Sequence, residues 1–460
     1  MFFLKDLWNP QKLVNDKWIW YNIIYINKKN EWLMEVILEV IQVKKSLNLK
    51  GEVKIDGAKN SALPIIAASL LGTEPIILED VPKLKDVSII LKVLEELGSK
   101  VTYLDKNRVE IDSSNVNNSV TPHELMNKMR ASFLVMGPLL TRLGQTKTYL
   151  PGGCAIGSRP VDLHLKGFKA LGAEIESTDE KIEAIAKDGL IGGEIYLDFP
   201  SVGATQNIMM AATMANGETV IENAAKEPEI VDLASFLNKL GAKVRGAGTS
   251  TIRIVGVDKL HGARHTIIPD RIEAATFMVA SAITRGDVTV KNCISSHIMP
   301  IIAKLREVGC EVIENEDEDS IRVISTGRLK GTKIKTLPYP GFPTDVQAQF
   351  MALMTVCKGQ SSVEETVFEN RFMHVEQLQK MGAAIATEGN EASIAGVDSL
   401  QGATVRSTDL RAGAALILAG LVADGTTNVT DIYHIDRGYD DIVSKFKKLG
   451  ANIERIEIED

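Results

Sequence analysis

Tryptophan is absent beyond residue 32: Trp8, Trp18, Trp20 and Trp32 are the whole complement of a 460-residue chain. Cysteine is as scarce, with four residues. Their spacing is not clustered, which argues against a disulfide framework and against a zinc site. No apolar run reaches the length needed to span a bilayer. Positive charge is not in excess either: the formal net charge is −8, so a nucleic-acid surface is not the default reading. These absences leave a soluble, cytoplasmic protein as the expectation, with no metal, no cofactor, no membrane and no obligate protein partner.

The tryptophan-bearing start does not match the rest. Trp18-Ile19-Trp20-Tyr21-Asn22-Ile23-Ile24-Tyr25-Ile26 is apolar, but Asn22 and the Asn27-Lys28-Lys29-Asn30 flank are unlike a signal peptide. Residues 1–33 are expected to be an extension outside the repeating fold, with translation starting upstream of Met34. A membrane-surface anchor is the second reading.

What the chain has in abundance is repetition. An apolar stretch closing on Gly and a small residue occurs at Leu97-Gly98-Ser99, Leu171-Gly172-Ala173, Leu240-Gly241-Ala242, Val308-Gly309-Cys310, Met381-Gly382-Ala383 and Leu449-Gly450-Ala451. Copies about 70 residues apart are the mark of a duplicated supersecondary unit. A second landmark, a small-residue helix pattern stopped by glycine, ends at Gly72, Gly144, Gly217, Gly286, Gly359 and Gly425. Such helices, apolar on most faces, belong inside. A short β-type run, a more amphipathic helix and a strand pair follow each one. The unit therefore reads as βαβαββ, and the fold class as α/β. Six units exceed one compact core, so two lobes of three units are expected: residues 59–267, and 34–58 together with 268–460. The crossover falls near Gly262 to Pro269, and the extended segment before Lys59 completes the second lobe. The crevice between two similar lobes is the expected ligand site.

Each buried helix starts on polar or charged residues: Lys59-Asn60, Arg130, Ser201-Val202-Gly203, Asp270-Arg271, Thr344-Asp345 and Asp409-Leu410-Arg411. Helix N-termini favour anions by about 0.3–1 kcal/mol each. With Lys59, Arg130 and Arg411 they would form a cationic site, although ordinary capping explains Ser201, Thr344 and Asp345 individually. Lys85, Arg159 and Arg437 stand at equivalent distances before their Leu-Gly endings, with Arg371 nearly so. Repetition suggests a shared grip on phosphate or carboxylate. Cys293, Cys310 and Cys357 read as buried small residues. Cys154 differs, because it sits in Pro151-Gly152-Gly153-Cys154-Ala155 with Arg159 close by. A neighbouring cation raises thiolate character, and this leaves open a nucleophile or an acid/base.

Gly57-Ala58-Lys59-Asn60, Met129-Arg130-Ala131-Ser132, Pro151 to His164, Ser201-Val202-Gly203-Ala204-Thr205, Phe342-Pro343-Thr344-Asp345, Thr366 to Val375 and His434-Ile435-Asp436-Arg437-Gly438-Tyr439 occur in this order. From about Met34 to the C-terminus the chain resembles the UDP-N-acetylglucosamine 1-carboxyvinyltransferases, the enolpyruvyl transferases of the peptidoglycan branch. The resemblance implies a two-domain inside-out α/β barrel. It also implies transfer of the enolpyruvyl group of phosphoenolpyruvate to the 3′-hydroxyl of UDP-N-acetylglucosamine. Cys154 would be the general acid and the target of fosfomycin, and Asp345 would take the hydroxyl proton. Lys59, Arg159 and Arg437 would hold phosphate and carboxylate. Asn60, Arg130, Arg159, Pro160, Val161, Asp162, Leu163, His164, Ser201, Val202 and Val367 would line the nucleotide-sugar site, with Arg371, Asp409 and Arg411 among the substrate-binding residues. Phe199-Pro200 departs from the family, which commonly has a basic residue there. The shikimate 3-phosphate enolpyruvyl transferases are the alternative, but they lack the Pro-Gly-Gly-Cys loop.

Overall fold

A computed structural model describes residues 22–28, 31–150 and 161–459. Among the described residues it is an α/β protein of six sheets, five mixed and one antiparallel, with helices between them. One sheet shows the local logic. Glu194–Tyr196 runs through the Val202–Ala212 helix into Glu218–Glu222, which lies parallel to it. A parallel pair needs such a crossover. Thr251–Val255 then pairs antiparallel with Glu218–Glu222, and Lys243–Arg245 closes the edge by a hairpin. Lys333–Lys335, Gln360–Glu364, Glu391–Ala395 and Ala384–Glu388 repeat that order.

Two sheets take their first strand from elsewhere in the chain. Arg264–Thr266 lies parallel beside Ile76–Glu79, and Lys50–Lys54 lies parallel beside Asp287–Lys291. The chain thus crosses twice between its halves, and the crossings run side by side. Ala58 N donates to Ile268 O at 2.7 Å and Asp270 N to Asp56 O at 2.9 Å. Gly57 is required here, since a Cβ on it would stand 1.9 Å from Asp80 O.

Two hydrophobic clusters result, one drawn from residues 62–267 and the other from 41–55 and 272–453. The central helices are buried along their length: Ala204 to Ala212, Ile272 to Ile283 and Arg411 to Gly420. The Lys85–Glu96 helix instead buries Asp86, Val87, Ile90, Leu91, Val93 and Leu94, the stripe of a helix packed on one side. All six glycines of the Leu-Gly endings have positive φ, from 88° at Gly172 to 111° at Gly309. That is the left-handed cap the sequence pattern called for.

Three details differ from the repeat read in the sequence. The sheet of Gln145–Tyr149, Glu174–Ser177 and Lys181–Ile185 has three strands, and its fourth position holds only a single bridge, Val120 to Lys147. The chain enters the His123–Met126 helix within three residues, which ends the ladder. At Gly286 the positive φ has moved to Arg285, at 56°. Part of the expected N-terminal extension joins a sheet: Asn22–Lys28 pairs antiparallel with residues 31–37 of the Glu31–Lys44 strand, whose other part pairs with Asn452–Glu459. A 14-residue strand outruns its partner and leaves an open edge that a second strand can satisfy. Residues 1–21 lie outside the described residues.

Candidate functional site

The crossover brings together side chains far apart in sequence. Lys59 opens the Lys59–Ala68 helix, and its backbone N donates to Asp270 Oδ2 at 3.1 Å. Its Nζ lies 2.6 Å from Asp86 Oδ2. Arg437, from the other half, meets the same carboxylate with Nε at 2.8 Å from Oδ1 and Nη2 at 3.3 Å from Oδ2. Burial pushes the Lys59 ammonium below its ordinary range; Asp86 works against that shift, while Arg437 and Arg411 add to it. Burial also opposes ionisation of Asp86, yet Lys59 and Arg437 hold its carboxyl below the usual range.

A second ionic group surrounds Asp345. Arg371 Nη2 stands 2.9 Å from Oδ1 and Arg411 Nη2 3.4 Å from Oδ2. Both arginine side chains are almost fully buried, whereas that of Asp345 is 27% exposed. Arg411 lies over the Tyr439 ring, 5.4 Å from its centroid. Burial would lower the Arg411 pKa, but Tyr439, Asp345 and Asp270 together raise it. Its Nε and Nη1 meet no hydrogen-bond acceptor among the described residues. A buried arginine with spare donors beside an accessible carboxylate suits an anion next to a proton acceptor. Tyr439 is fixed in turn by Thr276 Oγ1 at 2.9 Å and Gln349 Nε2 at 3.3 Å. Gln349 Nε2 also donates to Asp345 O at 3.0 Å.

The remaining predicted residues are more dispersed. His164 is buried beneath Phe133 with Nδ1 3.2 Å from Asn207 Nδ2. Burial, and then the nearby Arg130, push its pKa down to about 3, so it is neutral in the folded chain. Val161 precedes the Asp162–Ala170 helix, whose first turn exposes Asp162 and half-buries Leu163. Asn60, Arg130, Ser201, Val202 and Val367 are partly exposed. Cys154, Arg159 and Pro160 lie outside the described residues.

Capping accounts for some of the helix starts. Ser201 accepts from Ala204 N, Asp270 from Ile272 and Glu273 N, and Asp409 from Arg411 and Ala412 N. Thr344 and Asp345 do not cap; Thr344 Oγ1 donates to Glu365 Oε2 at 2.9 Å. Lys85 is half exposed, 3.2 Å from Asp436. Cys293, Cys310 and Cys357 are buried, which pushes each thiol up to about 12. Among the described residues no group of three His, Cys, Asp or Glu could hold a metal, and no helix is long and apolar enough to cross a membrane. A cavity of about 410 Å³ beside the crossover, lined by residues including Asp56, Lys106, Asp440 and Lys445, contains none of the predicted residues.

Asp86 was missed in the sequence. Its one signal is its place after Lys85, the loop cation of the first unit.

Comparison with known proteins identifies the family. Residues 43–446 match the family model of EPSP synthase (3-phosphoshikimate 1-carboxyvinyltransferase). The chain is 99% identical over 423 residues, 92% of its length and all of the relative's, to the UDP-N-acetylglucosamine 1-carboxyvinyltransferase of Finegoldia magna. It is 58% identical over 419 residues, 91% of its length and all of the relative's, to UDP-N-acetylglucosamine 1-carboxyvinyltransferase 2 of Carboxydothermus hydrogenoformans. Among solved structures, the enolpyruvyl transferase NikO from Streptomyces tendae superposes with a TM-score of 0.82 at 23% identity, over 92% of this chain and all of the other. EPSP synthase from Acinetobacter baumannii superposes at 0.73 and 18% identity, over 91% of this chain and all of the other. These two carry the fold alone.

Proposed function

The chain belongs to the UDP-N-acetylglucosamine 1-carboxyvinyltransferase family of enolpyruvyl transferases, and from that premise we propose how its residues carry the reaction. It transfers the enolpyruvyl group of phosphoenolpyruvate to the 3′-hydroxyl of UDP-N-acetylglucosamine and releases phosphate, a step of peptidoglycan precursor synthesis in the cytoplasm. The observation that carries this reading is the gathering of Lys59, Arg437 and the Asp345–Arg371–Arg411 group around one crossover. Two substrates bearing several negative charges need such a group. A chain of net charge −8 would otherwise repel them.

Cys154 gives a proton to the methylene carbon of phosphoenolpyruvate, and the adjacent carbon becomes oxocarbenium-like. The sugar 3′-oxygen bonds to that carbon while its proton passes to Asp345. Loss of phosphate, with one methyl proton passing back to the Cys154 thiolate, restores the double bond. One acid and one base therefore act on opposite partners. Lys59, Arg159 and Arg437 hold phosphate and carboxylate, and Arg371 and Arg411 orient Asp345 between them. Asn60, Arg130, Pro160 to His164, Ser201, Val202 and Val367 line the nucleotide-sugar side, with Asp409 at the adjoining helix start. Closure of two lobes, 59–267 on 34–58 with 268–460, excludes water from the intermediate. The architecture is an inside-out α/β barrel pair of six repeats, supported by the shared strand order of its sheets.

The test is phosphate release from phosphoenolpyruvate, with UDP-N-acetylglucosamine and separately with shikimate 3-phosphate. Release with the first alone supports the reading, and release with the second alone overturns it. Cys154→Ser should nearly abolish turnover while Cys154→Asp keeps part of it, because a carboxylic acid can still donate a proton. Equal behaviour of the two variants would remove the acid role. Fosfomycin should add its mass to a peptide containing Cys154, faster with the nucleotide sugar present. Cys293, Cys310 and Cys357, held as buried thiols, should stay unlabelled.

A further inference from the structure

We propose that Asp86 is a positioning residue for the transfer: one buried carboxylate aims the Lys59 ammonium and the Arg437 guanidinium, which come from opposite halves, at the same anion. The proposal rests on the reading of Lys59 and Arg437 as the cations that hold phosphoenolpyruvate. Asp86 is 1% exposed. Its two oxygens are divided so that Oδ2 takes Lys59 at 2.6 Å and Oδ1 takes Arg437 Nε at 2.8 Å. Arg437 Nη2 reaches back to Oδ2 at 3.3 Å. A two-point grip fixes the plane of a guanidinium, which a single contact does not.

A carboxylate this deeply buried is costly unless paired, and a buried pair broken on one side destabilises the fold. Here one carboxylate bridges two cations from opposite halves, and an incoming anion can join the same pair of cations. Without Asp86 the two cations would face each other unscreened. The groups acting on Lys59 are Asp86 from its neighbouring helix, Arg437 and Arg411 from the other half, and Asp270, which accepts from its backbone N. Tyr433 faces both Arg437 and Asp86, and Lys85 covers its ring while pairing with Asp436. Asp86 alone among the groups acting on the Lys59 ammonium raises its pKa. Its loss therefore moves the Lys59 titration to lower pH.

The experiment uses the full chain and Asp86→Asn, with thermal melting to confirm folding. In the variant the KM for phosphoenolpyruvate should rise about tenfold or more, while that for UDP-N-acetylglucosamine changes less than threefold. The alkaline limb of kcat/KM should move down by about one pH unit. A readout independent of turnover is the pH dependence of Lys59 acetylation by acetic anhydride in the substrate-free protein, followed by mass spectrometry. Its midpoint should fall by a similar amount. A folded Asp86→Asn chain with unchanged Lys59 midpoint and unchanged alkaline limb overturns the proposal. If Asp86→Asn does not fold, Asp86→Glu decides. That variant keeps the charge but displaces it by one methylene, so it should hold the Lys59 midpoint while raising the KM for phosphoenolpyruvate, and an unchanged KM overturns the aiming role. Should the parent chain release no phosphate from either substrate pair, the functional reading fails. The acetylation midpoint would still report whether Asp86 holds Lys59.

Discussion

The two ionic groups at the crossover are built differently. Asp345 finds Arg371, Arg411 and, through Gln349, Tyr439 all within the second half. Asp86 finds Lys59 in its own half but Arg437 across the boundary, 351 residues away. The first arrangement is set once the second half packs. The second exists only where the halves meet. A base must keep its geometry throughout turnover, whereas cations that seize an anion can also register the approach of the halves. On the proposed reading, the base lies inside one half and the anion-holding cations lie between halves.

The largest expected effect lies at the proposed base. Asp345→Asn should lower turnover by about 10²–10⁴, the range for losing a general base, while phosphoenolpyruvate binding measured by calorimetry survives. Turnover within threefold of the parent would remove Asp345 from the chemistry. Gly57→Ala attacks the boundary instead. Its Cβ would clash with Asp80 O, and an overpacked site of this kind should cost about 3 kcal/mol in urea unfolding. A stability within 0.5 kcal/mol of the parent, on the order of ordinary surface changes, would show the crossing strands to be loose.

Arginine-to-lysine changes then sharpen the contrast, since lysine cannot reproduce a two-point grip. Arg437→Lys should raise the KM for phosphoenolpyruvate by about tenfold with a modest change in melting temperature, because the position is partly exposed and lysine keeps a cation beside the Asp86 carboxylate while losing the two-point grip. Arg371→Lys, at a buried position, should show the reverse pattern. Equal effects on KM at both positions would mean that the two ionic groups do not differ in role.

A pH comparison takes one histidine from each half. Burial pushes His164 down to about 3 and His374 down to about 4. Both refuse a proton that the unfolded chain accepts near pH 6.5. Their contribution is therefore intact above about pH 6.5 and is lost as pH falls, at about 1.4 kcal/mol per pH unit for each histidine. Replacing either by glutamine should flatten the loss of unfolding free energy between pH 6.5 and 4. Below about pH 4 only the His164 variant should still differ in slope from the parent. A slope identical to the parent's in both variants would mean that neither ring is held neutral.

Much of this was legible in the sequence because it is local. A glycine after an amphipathic helix reports a left-handed cap, and all six such glycines have one. Small, apolar helix patterns correspond to helices buried along their length, as in Ile272 to Ile283. The three bland cysteines are bland because burial holds their thiols protonated. Where local chemistry was ambiguous, the outcome divided. Ser201, Asp270 and Asp409 are caps, whereas Asp345, equally suited to capping, turns instead to two arginines.

Residue order alone therefore determined the helix ends and the family to which the chain belongs, since each is carried by short stretches of neighbouring residues. Tertiary structure decided which strand completes which sheet, as when Lys50–Lys54 lies beside Asp287–Lys291. It also decided which carboxylate joins Lys59 to Arg437. A pairing across 351 residues leaves no periodicity in the chain, because the desolvation and Coulomb forces that fix it act only after the halves have packed.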